Sequence, residues 1–90
     1  MLNFNLPIMI GCYDKADKCS VIAKGEKFGG YDLYICRLKE RMEVGEYVPK
    51  ENIGKVICHI HFCKLDALKQ FAKGVNTLVE LWEDENENGN

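Results

Sequence analysis

The chain has a single serine, Ser20, and a single threonine, Thr77. A serine nucleophile would have to be Ser20, which lies in an apparent strand with no G-x-S-x-G elbow around it. Clustered phosphorylation is excluded by the same scarcity. No G-x-G-x-x-G follows a strand and no G-x-x-x-x-G-K-[ST] occurs, so phosphate-cradling loops are missing. No apolar run approaches the roughly 18 residues needed to span a bilayer. The opening MLNFNLPIMIGCY has no basic stretch, and Asn3, Asn5 and Pro7 interrupt its apolar residues. Neither a signal peptide nor a membrane segment is therefore expected. No C-x-x-C pair exists among the five cysteines Cys12, Cys19, Cys36, Cys58 and Cys63, which argues against a zinc ribbon or a thioredoxin-like motif. Their odd number and the missing signal imply reduced thiols and a cytoplasmic location. Several should serve as small core residues.

What is present reads as one ordinary globular domain. The 90 residues are 47% hydrophobic and 29% charged, too apolar for a disordered chain. The net charge of −2 hides an asymmetry. The last eight residues, EDENENGN, hold four acids and no base, leaving residues 1–82 at +2. That body is too weakly basic for a dedicated duplex-DNA binder. The expected organisation is a folded domain over 1–82 and an acidic disordered tail over 83–90, since nothing in the tail can be buried.

Along the chain, PIMIGCY (7–13) and KCSVIAK (18–24) read as two strands of a hairpin across a polar Asp-containing turn. Gly25, Gly29 and Gly30 then punctuate the approach to YDLYICRLK (31–39), rich in aromatic and β-branched residues and read as a third strand. Residues 40–54 are irregular. Glu46 to Val48 suggests a short edge strand, and Pro49 opens a single helical turn. KVICHIHFC (55–63) alternates cleanly, with Val56, Cys58, Ile60 and Phe62 on one face and Ile57, His59, His61 and Cys63 on the other.

Leu65, Leu68, Phe71, Ala72, Val75, Leu78, Val79 and Trp82 recur at helical spacing and mark an apolar stripe on a helix over 65–82. The expected fold class is α+β: three or four antiparallel strands packed on one C-terminal helix, with the histidine face of the sheet left uncovered.

The sharpest chemical pattern is His59-x-His61-x-Cys63. Alternate strand residues share a face, so these three side chains project together and offer two imidazoles and a thiolate to Zn²⁺. Cys36 or Asp32 on a neighbouring strand would complete the ligands. The alternative is that His59 and His61 are half-exposed residues of a partner-binding face. A Cys36–His dyad lacks an orienting group and an oxyanion hole. Aromatics beside cations (Phe28, Tyr31 and Tyr34 near Lys24, Lys27 and Arg37) suit a single-strand nucleic-acid platform, although the weak positive charge makes nucleic acid an unexpected partner.

The leading expectation is thus a small non-enzymatic protein-binding protein without a cofactor, acting on a protein partner or as a homodimer. By analogy with other small motif-free proteins, it fits a phage or mobile-element accessory protein that inhibits or modulates a host or defence protein. Its partner-binding residues are expected to be His59, His61, Tyr34, Glu46, Tyr47 and Lys50. The alternatives are a metal-binding protein using His59, His61 and Cys63, and a single-stranded nucleic-acid-binding accessory protein.

Overall fold

A computed structural model describes residues 3–11, 13–25 and 29–88. Cys12 and Phe28 lie outside the described residues. Four strands, β1 (Asn3–Ile8), β2 (Ala16–Lys24), β3 (Tyr31–Met42) and β4 (Ile53–Phe62), form one antiparallel sheet in the order β1-β2-β3-β4. One helix, α1 (Leu65–Asn88), follows β4. The α+β class expected from the sequence is the one observed.

Sequence and structure differ at the ends of elements. The first strand is Asn3–Ile8, not 7–13. Pro7 sits inside it opposite Cys19, which is tolerated because β1 is an edge strand. Glu46–Val48 form no strand, whereas the turn opened by Pro49 is a 3-10 helix over Lys50–Asn52. The helix does not stop at Trp82 but continues through Glu83–Asn88, most of the stretch expected to be a disordered tail. Extending an existing helix costs little per residue once the first turn is formed.

The core lies on a different side of the sheet from the one expected. Register places Cys19 opposite Cys36, Val21 opposite Tyr34 and Tyr34 opposite His59 on a common face. On that face Ala16, Cys19, Cys36, Leu38 and Val48 form the buried cluster, with Val21, Tyr34, Met42 and Ile53 packed against it. Its cover is the loop after β3, whose Val48 is fully buried. Three register shifts, one between β2 and β3 and two between β3 and β4, interrupt the sheet. Ala16 pairs with Met42 while Lys18 pairs with Arg37, so β3 carries extra residues. Val56, not Ile57, lies opposite Cys36, so Ile57 is an extra residue in β4 and Val56 changes face. Bulges of this kind bend the bulged strand and raise its twist. The side chain of Asn52 fixes the loop by accepting from the Glu40 N–H (2.8 Å) and donating to the Glu40 carbonyl (2.9 Å).

The opposite face carries Leu6, Ile22, Leu33, Ile35, Ile60 and Phe62 by register. The helix was expected to cover it and does not. Among the described residues of that face only Phe62 is buried, its ring tilted against Phe71 at 5.4 Å between centroids. From Lys69 to Asn86 every residue of α1 is exposed. The molecule is accordingly elongated, 49 × 33 × 19 Å, with a radius of gyration of 15.0 Å against about 12 Å for a compact chain of this length. The apolar stripe of α1 is real, but this chain supplies almost nothing to bury it.

Candidate functional site

The two histidines of β4 meet at the start of β3. Residues 32 and 34 lie opposite 61 and 59, so Asp32, Tyr34, His59 and His61 form a two-by-two block on one face. Asp32 Oδ1 accepts from His59 Nε2 at 2.8 Å and from His61 Nδ1 at 2.9 Å. Tyr34 stacks on the His59 ring, with 4.4 Å between centroids and 8° between planes. The imidazoles remain 45% and 44% exposed, and the carboxylate beneath them 18%.

The electrostatics follow from this geometry. The hydrogen bonds from His59 and His61 hold the Asp32 carboxyl below its ordinary value of 3.8, against a small opposing effect of burial. An ionised carboxylate only accepts. Each ring therefore carries a hydrogen on the nitrogen facing Asp32, Nε2 in His59 and Nδ1 in His61. In the neutral rings the other nitrogens, His59 Nδ1 and His61 Nε2, are acceptors turned away from Asp32.

Gly30 holds the neighbouring turn against this block. Its φ is +78°, and a Cβ there would lie 2.6 Å from the Phe62 carbonyl oxygen and 2.8 Å from His61 Cε1. Only glycine combines that backbone conformation with that approach. Gly25 closes the same turn through its N–H to the Gly30 carbonyl at 2.9 Å.

The other sequence-derived candidates lie elsewhere. Cys63 is exposed in the bend after β4, beyond the strand that carries the histidines. Among the described residues, no group of three or more His, Cys, Asp or Glu side chains is arranged to hold a metal ion. Glu46, Tyr47 and Lys50 are exposed in the β3–β4 loop, Tyr47 by 76%. An open cleft of about 460 Å³ lies beside that loop, lined by residues including Lys39, Arg41, Met42 and Pro49.

Cys36 lies two positions from Tyr34 on the same strand face and directly opposite Cys19. Both thiols are free and buried. Burial, followed by the proximity of Cys36, pushes Cys19 up to about 11, and burial also raises Cys36. Neutral thiols are poor nucleophiles, so the block has no activated cysteine beside it. No helix among the described residues is long and apolar enough to cross a membrane.

Asp32 carries the most weight in the block, yet from sequence it is only a reserve metal ligand. The available signal was an acid in the middle of a strand, where Asp is disfavoured, at the same parity as Tyr34. No family model, curated protein or solved structure matches this chain.

Proposed function

We propose that the protein is a non-enzymatic binding protein that engages a protein partner through the Tyr34, His59 and His61 face. The observation that carries this reading is the double hydrogen bond to Asp32. Immobilising an exposed side chain on binding costs about 0.5–1.5 kcal/mol. Here one carboxylate already orients both imidazoles, and Tyr34 is stacked on one of them. Rigid aromatic groups at a partly exposed surface are the kind that dominate protein interfaces. A partner that fits would present an N–H or O–H donor to His59 Nδ1 and a flat or apolar group to the uncovered face of His59, since the Nε2 edge of His61 lies against the Gly30 turn. Inhibition of a host or defence protein on behalf of a phage or mobile element is the finer form of this reading, and it rests on analogy alone.

Affinity capture from source cells, with the wild type and a His59→Glu/His61→Glu variant side by side, tests it. The expected result is a partner identified by mass spectrometry that the wild type retains and the variant loses, with unchanged thermal melts. A partner retained equally by both would refute the assignment of this face. Salt-sensitive binding of single-stranded DNA or RNA, lost in the variant, would replace the protein partner with nucleic acid.

A further inference from the structure

We propose that α1 pairs in antiparallel orientation with α1 of a second copy of this chain, forming a two-fold symmetric dimer. This inference is independent of the Tyr34–His59–His61 face. It begins from the exposed stripe. Phe71, Val75, Leu78, Val79 and Trp82 are 41–59% exposed, and a lone amphipathic helix draws most of its stability from packing that face. Leu68, Val75 and Trp82 are spaced by seven, with Phe71 and Leu78 between them, which is the 3-4 alternation of helices that interlock side by side.

Charge selects the partner and its direction. The first half of the helix region carries Lys64, Lys69 and Lys73 against Asp66. The second half carries Glu80, Glu83, Asp84 and Glu85 with no base. Acids near a helix C-terminus oppose the helix dipole, so each copy alone is electrostatically mismatched. A parallel pair would set acid against acid. An antiparallel pair sets each acidic half against the lysines and the positive end of the other helix. At 3.6 residues per turn, Lys64 and Glu85 fall at the two ends of the stripe, whereas Lys69, Lys73 and Glu80 lie on the far side of the helix.

Gly74 marks the crossing. A Cβ there would meet nothing within the chain, so no internal contact accounts for a residue that costs about 1 kcal/mol in a helix. Centring the pair on Gly74 and Val75 places Gly74 opposite Val75, Ala67 opposite Trp82, Phe71 opposite Leu78 and Lys64 opposite Glu85. Small residues face large ones and opposite charges meet, as a self-complementary two-fold interface requires.

Sedimentation equilibrium of the full chain tests the proposal. The wild type should run at twice 10.3 kDa at micromolar concentration, and Val75→Glu/Leu78→Glu at the single-chain mass. Because that variant could also lose its helix, Glu85→Gln is measured alongside, a change that threatens no fold. In the antiparallel dimer it removes the two Lys64–Glu85 attractions and weakens association roughly fivefold. In a parallel dimer it removes repulsion and tightens association. A monomeric wild type at high micromolar concentration, or a tighter dimer with the glutamine variant, would overturn the proposal.

Discussion

The two ends of β3 show how differently one short chain treats its apolar residues. At the C-terminal end, β3 runs past β4 and the following loop folds back, so Val48 closes over Cys19, Cys36 and Leu38. At the N-terminal end, β3 pairs with the last residues of β4, and α1 leaves from there with its stripe uncovered. The first region is completed by its own loop. The second is apolar enough to need a cover and receives one only at Phe62. Burial at one end belongs to folding, and in the proposed dimer burial at the other belongs to association.

The comparison can be broken most directly with paired truncations. Leu38→Ala should cost about 2–5 kcal/mol of stability, the usual range for a buried leucine, and the loss should not change with protein concentration. Phe71→Ala should destabilise in a way that depends on concentration, because its packing is shared with an associating surface. Thermal melts across a hundredfold dilution series separate the two. Identical concentration behaviour would erase the distinction between the ends.

A smaller effect is expected at Gly30. Gly30→Ala combines a positive φ with a close approach to the Phe62 carbonyl and the His61 ring, and should cost more than about 1 kcal/mol. It should also shift the His61 ring resonances in NMR. A neutral substitution would mean that the turn gives way without disturbing the block.

The smallest effect concerns acid. Asp32 is held below its ordinary value of 3.8 by the two imidazoles. Its contribution is complete above the ordinary carboxylate range and is lost as pH falls through its lowered value. The difference in melting temperature between wild type and Asp32→Asn should therefore be present near pH 5 and vanish in strong acid. A difference that persists unchanged to low pH would show that the carboxylate charge contributes nothing.

Much of the fold was legible because it is written in local alternation. β3 and β4 begin within two residues of their expected starts, since KVICHIHFC and YDLYICRLK carry period-two patterns between glycines and turns. The stripe of α1 was equally plain. Periodicity, however, says that a face needs burial and not what buries it. That is why the helix was assigned to the sheet it does not cover. The segment 43–49 was missed as a cover because one buried valine in an irregular loop has no periodic signature. At the candidate site, alternation put His59 and His61 on one face, but only the register of β3 against β4 shows Asp32 beneath them.

The facing thiols of Cys19 and Cys36 carry a practical consequence. Both stay protonated far above neutral pH, and alkylating reagents consume thiolates. Among the described cysteines, Cys58 and Cys63 are exposed and should react first, whereas Cys19 and Cys36 react only when the closed end opens. The lag between the two pairs is a clock for that opening, readable by mass spectrometry without any label being engineered into the chain.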